Sequence, residues 1–341
     1  MSSATSRQAA HGRTGTRPWS RLPLAQLGRA ASSPRGQLIL VLLALAVVAA
    51  PWPHPCLALP NVLAAVGLAV VLDTGLLWLM EGRWTFPTDA TIAALTIALV
   101  LSPTTTPYVV ACTVALALIA KYTLRTGRGH VLNLAAIALL ANTLLFGSEH
   151  DWWGALTALP VVGVALLLAG AIFIAWRNGR LPLLGSFLLV AAGGSALAVV
   201  GGLTTTGVLL GIPTSHAALF CAGFLLTEPL TSPAGHRWQL GGGALIGMAA
   251  LGMALLCGPT LALPTAIIVG NLWELARRTW QGRQHPPRHT RGALLVRSPR
   301  WATRLHRAGR LRSSDRSRLL RGCVHTGDRV TVEKRRIRQT P

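Results

Sequence analysis

Pro87-Thr88 and Pro103-Thr104-Thr105-Thr106-Pro107 recur, 126 positions later, as Pro213-Thr214 and Pro229-Leu230-Thr231-Ser232-Pro233. In both copies the threonine that follows the first proline stands fifteen positions before the next motif proline. Between these points lie apolar runs, Ala90 to Leu101 and Ala217 to Leu226, about long enough with their ends to cross a bilayer core. Each copy reads as a proline-bounded membrane helix that leaves through a Thr/Ser-rich turn. A repeat of this kind in a membrane protein places the functional site at the interface between the halves.

Composition agrees with the repeat. Of 341 residues 51% are apolar and 12% charged, and the apolar residues come in long blocks rather than at amphipathic spacing. The formal charge of +22 would suggest nucleic acid if it were spread over a soluble domain. It is not spread: of 32 Lys and Arg, six precede residue 37 and nineteen follow residue 276. Residues 1–37 read as a disordered basic tail, 38–276 as the membrane domain and 277–341 as a second basic tail. The tails suit anionic lipid headgroups, at about 1 kcal/mol per basic residue near the surface, and imply no specific nucleic-acid partner. Cys56, Cys112, Cys221, Cys257 and Cys323 stand singly, without spacing that would hold zinc or an iron-sulfur centre, so no metal is expected.

Ten spans are expected, near 38–52, 58–80, 87–102, 107–121, 131–146, 154–176, 181–201, 208–226, 239–257 and 259–276. With the first tail inside, the inner loops hold Arg83, then Lys121, Arg125 and Arg128, then Arg177 and Arg180, then Arg237. The outer loops, Pro51 to Pro55, Ser102 to Thr106, Gly147 to Trp153, Gly202 to Thr206 and Gly258, hold no Lys or Arg. The fold class is therefore an all-α integral membrane protein of about ten transmembrane helices, multi-pass in a bacterial-type inner membrane with both termini cytoplasmic. The two copies become the third and eighth spans, running in opposite directions, within two inverted five-helix repeats, about 38–146 and 154–276. Polar groups of both are expected to line one cavity near Asn133 and Asn271, each of which opens an apolar or amphipathic stretch after its copy.

Two further stretches carry a family resemblance. Ala120-Lys121-Tyr122-Thr123-Leu124-Arg125 with Gly129-His130-Val131-Leu132-Asn133-Leu134-Ala135-Ala136 is similar to the SKYLLRYRGRHIFNPAA motif of RnfD, and Phe224 to Pro233 (FLLTEPLTSP) to its FFMATDPVTSP. With Gly270-Asn271 in the last span, residues 38 to 280 resemble the RnfD/NqrB family. That resemblance implies ten spans in two inverted halves, a flavin, and service as a membrane subunit of an ion-translocating electron-transfer complex with other redox subunits. Stand-alone relatives in biosynthetic loci, including those for enediynes, are the closer parallel. The family's covalent FMN is a phosphoester on the threonine of an S-G-A-T motif, and this chain has no S-G-A-T. Leu134 stands where the family's N-P-A-A has proline, and Glu228 where its T-D-P has aspartate. A non-covalent flavin, FMN or riboflavin, is the expectation.

The cofactor-binding candidates are His130, Asn133, Asn271, Thr227, Glu228, Thr231 and Ser232; Asp73 and Glu228 are candidates for an ion or proton pathway. Each has a plainer reading. Glu228 can cap backbone donors at the end of its span. Asp73, inside the second span at about 2.5–3.5 kcal/mol on insertion scales, can be a buried acid, protonated or bonded to serine or threonine. The two asparagines can tie helices together. His216 is the histidine deepest in a span and has no evident partner for bis-histidine haem ligation, and Thr204 to Thr206 read equally as turn formers or an outer polar cluster. A channel or transporter, or an accessory membrane protein of a biosynthetic pathway, using the same cavity without redox chemistry, is the alternative function.

Overall fold

Prolines and glycines mark where the helices begin and end. The computed structural model describes residues 32–51, 55–82, 86–126, 129–153, 161–202 and 216–284. These form ten α-helices: α1 (Pro34–Ala49), α2 (Pro55–Glu81), α3 (Thr88–Val100), α4 (Pro107–Thr123), α5 (Leu134–Phe146), α6 (Val161–Arg177), α7 (Leu181–Val200), α8 (His216–Phe220), α9 (His236–Cys257) and α10 (Pro259–Gln284). A π turn, Cys221–Leu225, continues α8, and a small antiparallel hairpin, β1 (Arg125–Thr126) with β2 (Gly129–His130), joins α4 to α5. Proline sits in the first turn of α1, α4 and α7, where its missing N–H has no helical bond to break. Gly147 closes α5 at φ 63°, in the left-handed region. The Thr204 to Thr206 cluster, Pro213-Thr214, Arg83, Arg128 and the start of the sixth expected span lie outside the described residues.

Two units are distinguished, residues 1–77 with 84–287, and 78–83 with 288–341, and the hydrophobic core belongs to the first. Within it α7 lies closely on α9, and α9 on α10; α1 packs on α3 and α6, α4 on α5, and α5 on α10. Gly243 and Gly247 explain the first of these approaches. A Cβ at Gly243 would run into the Leu183 carbonyl and the Ser186 hydroxyl, and one at Gly247 would stand 3.0 Å from the Phe187 carbonyl. The outward faces are apolar too: Val47, Leu63, Leu189, Leu197, Met248 and Leu256 are exposed. Apolar surface within and without matches a lipid surround better than water. Three helices, Cys56–Met80, Leu181–Val200 and His236–Cys257, are long and apolar enough to cross a membrane; six other apolar stretches are shorter.

The two repeated segments are among the short ones, and both are buried. α3 has 13 residues, about 20 Å of helix, and is covered by protein from Ala90 to Leu101 except at Ile92. The second is shorter than its uniform apolar run suggests: α8 gives way after five residues to the π turn, all five of whose residues are buried. At Gly223, inside that turn, an added Cβ would collide with Ala171 of α6. Two stretches read as tails also belong to helices. α1 begins at Pro34 and pairs Arg35 with Asp89 of α3 at 3.0 Å. α10 runs on through Arg277 and Arg278 to Gln284, because Glu274 supplies both arginines with an intrahelical partner.

Candidate functional site

Pro229 has no N–H to give the carbonyl four residues back, that of Leu225. Asn133 supplies the missing donor: its Nδ2 bonds the Leu225 oxygen at 3.1 Å and Glu228 Oε2 at 2.8 Å. Its other atoms are equally engaged. Asn133 Oδ1 caps α5 by accepting the Ala136 N–H at 2.9 Å, and its backbone N–H donates to Asn271 Oδ1 at 2.7 Å. Leu134 follows at the first helical position, which tolerates leucine and proline alike, so its departure from the N-P-A-A pattern leaves the cap intact.

The hairpin delivers the next member. Gly129, at φ 130°, makes a turn that residues with a Cβ rarely adopt, and the register sets His130 opposite Arg125. His130 is buried, with Nε2 2.7 Å from Glu228 Oε1. Burial is the largest single influence on its pKa and pulls it down. The hydrogen bond and charge of Glu228, with Asp89, outweigh burial and the opposing charge of Arg35, so the net direction is up from 6.5. Thr231 Oγ1 reaches Glu228 Oε2 at 3.4 Å, and Ser232 Oγ donates to the Glu228 carbonyl at 2.7 Å. Among the described residues the Glu228 carboxylate thus serves three side chains, from two stretches of the chain, rather than capping backbone donors.

Six of the seven cofactor candidates meet here; Thr227 stands apart. Its hydroxyl back-bonds to the Gly223 carbonyl at 2.5 Å, its carbonyl accepts Asn178 Nδ2 at 3.2 Å, and it is fully buried. Asn271 does not open a stretch as expected. It lies in the middle of α10 and reaches Asn133 across the α5–α10 contact. Asp73 is also buried, but its partners are neither serine nor threonine. Lys121 Nζ is 2.5 Å from Oδ2 and the Tyr122 hydroxyl 2.6 Å from Oδ1, an ion pair that clamps the base of the hairpin to α2. His216 Nδ1 is buried without a partner among the described residues.

Two cavities flank the cluster. One of about 40 Å³, room for a few waters, is lined by Asp89 and Thr96 of the first copy and by Asn133 and Glu228. Polar groups of the first copy's helix and Glu228, just past the end of the second copy's helix, therefore share this chamber, but the Pro103–Pro107 turn does not: it lies at the opposite end of α3. The other, about 550 Å³, is in the size range of a cofactor site and is lined by His130, Thr231, Asn271, Glu274, Arg278 and Thr126, with Leu230 and Leu275. His130 and Asn271 face the large cavity, Glu228 and Asn133 the small one. The hydrogen-bonded network is the wall between them, and its His130–Glu228 contact can hold a proton within reach of a ligand.

Sequence reasoning missed Arg278, Glu274 and Arg180. Glu274 bonds Arg277 and Arg278, each at 2.6 Å; Arg278 donates to the carbonyls of Leu230 (2.9 Å) and Ser232 (3.3 Å), and Arg180 Nη2 to Ser232 (3.4 Å). The signal was present as Glu274 at three and four residues before the arginines, on one helix face.

No protein-family model matches this chain, and no curated protein is similar to it.

Proposed function

We propose that the chain is a ten-span membrane protein of the RnfD/NqrB type, built of two inverted five-helix halves, that holds a flavin without a covalent bond and takes part in membrane electron transfer, with other membrane or redox subunits as partners. The observation that carries the reading is the meeting of the two motif stretches. His130 comes from one, Thr231 from the other and Asn271 from the last helix, all on the wall of a cavity of about 550 Å³, and Asn133 and Glu228 bond to them from the side of the small chamber. In this reading Asn271 and His130 offer hydrogen bonds to the polar edge of the flavin ring. The pair His130–Glu228 carries the proton that accompanies ring reduction.

Packing supports the inverted halves. α1 rests on α3 as α6 rests on α8 and its π turn, and α4 packs on α5 as α9 packs on α10. The pairs that two-fold symmetry would bring face to face, α1 with α6 and α5 with α10, are in contact. A carrier for a small solute is the second reading, favoured by two short buried helices that share a water-sized chamber. The visible spectrum of the detergent-purified protein decides between them. Flavin bands that persist through size exclusion, and are released by denaturation, are the expected result; a colourless protein that takes up no added riboflavin or FMN refutes the redox reading. Reporter fusions after Arg180 and Arg237 are expected inside, and near Asp151 outside.

A further inference from the structure

Arg278, on the wall of the large cavity, stands close to two other arginines. Arg180 and Arg278 meet on the Pro229–Pro233 turn, and Arg278 shares with Arg277 one carboxylate, Glu274, which is nearly fully buried. Arg180 and Arg278 donate to the same carbonyl, that of Ser232, although like charges repel. Arg180 is itself 7% exposed, and its Nε is buried without a partner among the described residues. Its pKa moves down, first through burial and also through the charge of Arg278, while Glu274 opposes the shift. Two guanidiniums thus crowd one carbonyl beside a carboxylate that Arg277 also uses, and an anion at Arg278 would offset their repulsion.

Arg278 is placed to take one. A guanidinium has five donors. Glu274, Leu230 and Ser232 engage three, one on each nitrogen, which leaves one N–H on each terminal nitrogen of a side chain that is 33% exposed and lines the cavity. Those three bonds hold the planar fork in a fixed orientation, the geometry that suits a phosphate. Hydroxyls of Thr126, Thr231 and Thr279 line the same space, while Val131, Pro229, Leu230 and Leu275 offer an apolar wall. The lining thus offers apolar surface for a ring together with donors for an anion.

We infer that this cavity binds the phosphate of a phosphorylated ligand on Arg278 and its neighbouring hydroxyls, so that flavin mononucleotide, and not uncharged riboflavin, is the flavin form it retains. The inference rests on the flavin reading for the ring and stands on Arg278, Arg180 and the cavity for the phosphate.

The test uses the full chain purified in detergent and two ligand pairs that differ only by a phosphate: FMN with riboflavin, and umbelliferyl phosphate with umbelliferone, each followed by the ligand's own fluorescence. FMN is expected to bind roughly tenfold or more tightly than riboflavin, as a charge-assisted contact implies. Arg278→Gln is expected to remove that preference and leave riboflavin affinity unchanged. Thr126→Val, which leaves the arginine network whole, is expected to weaken FMN by a few-fold, and keeps the test open if Arg278→Gln does not fold. Binding of umbelliferyl phosphate over umbelliferone, with neither flavin retained, sustains the phosphate site and sinks the flavin reading. Displacement of the phosphorylated probes by short-chain phosphatidic acid, but not phosphatidylcholine, also sustains the site and assigns it to a lipid headgroup. Equal affinity within both pairs overturns the inference.

Discussion

The turns Pro103–Pro107 and Pro229–Pro233 carry the same proline and hydroxyl signature, yet the chain uses them for opposite purposes. At the first, Asn61 Nδ2 ties down the Pro103 and Thr105 carbonyls at 2.8 and 3.2 Å, and Ser102 and Thr104 hydroxyls bond one another. Thr104 and Thr106 remain exposed. The carbonyls that end α3 are satisfied by two tryptophans, Trp153 Nε1 to Ala98 at 2.6 Å and the Trp152 N–H to Val100 at 2.9 Å. At the second turn the position matching Ser102 is Glu228; a histidine, an asparagine and two arginines bond it or the turn after it, and Asn271 holds that asparagine by its backbone N–H. The repeated pattern therefore specifies how a short buried helix ends. One carboxylate decides whether the end becomes a site.

The largest expected contrast is between Glu228→Ala and Ser102→Ala. Removal of Glu228 leaves His130 and Asn133 without their shared acceptor, at about 2–4 kcal/mol, whereas loss of the Ser102 hydroxyl stays within about 0.5 kcal/mol. Urea or thermal unfolding in detergent reads both, and equal effects would erase the distinction between the turns. Glu228→Gln sharpens it. Gln Oε1 can accept from Asn133 while its amide donates to neutral His130, so folding is retained; the proton-carrying role predicts lost turnover, and normal turnover would sink that role.

Asn133→Ala comes next, at about 2–3 kcal/mol, since it removes the α5 cap and the bonds to Leu225 and Glu228 together. Its counterpart, Asn61→Ala, frees two carbonyls of a turn that water reaches, and about 1 kcal/mol is expected. A membrane-yield or unfolding series that ranks Asn61 above Asn133 would reverse the comparison.

The two ends also answer pH in opposite senses. His130 has its pKa raised above 6.5, so its stabilising contribution is complete below 6.5 and is lost as pH rises through the raised value. His150, in the loop near the first turn, is pushed down to about 4, by burial above all, against the Thr260 and Leu139 carbonyls and the Asp151 charge. Its contribution is present above 6.5 and fades as pH falls toward 4. Melting temperatures across this range should show the alkaline loss vanish in His130→Asn and the acid loss vanish in His150→Asn. Trp153→Phe is expected to cost only about 1 kcal/mol, for the indole bond to the Ala98 carbonyl, read by the same unfolding series.

Much of this was legible along the chain, because it depends on neighbours in sequence. Prolines place helix starts, Pro229 announces a carbonyl without a partner, Asn133 opens an apolar stretch, and apolar runs announce helices at home in lipid. The convergence of Asn133, Glu228 and Asn271 was read only through the resemblance and the repeat. What stayed hidden is what depends on partners distant in sequence. That Asp73 belongs to Lys121 and Tyr122, that α8 breaks into a π turn where Gly223 meets Ala171, and that Arg278 and Arg180 share the Ser232 carbonyl are outcomes of packing. Local chemistry determined the helices and their ends. Only the tertiary structure decided which polar ends would face one another, because an unpaired polar group in an apolar surround takes whatever partner the packing brings within reach.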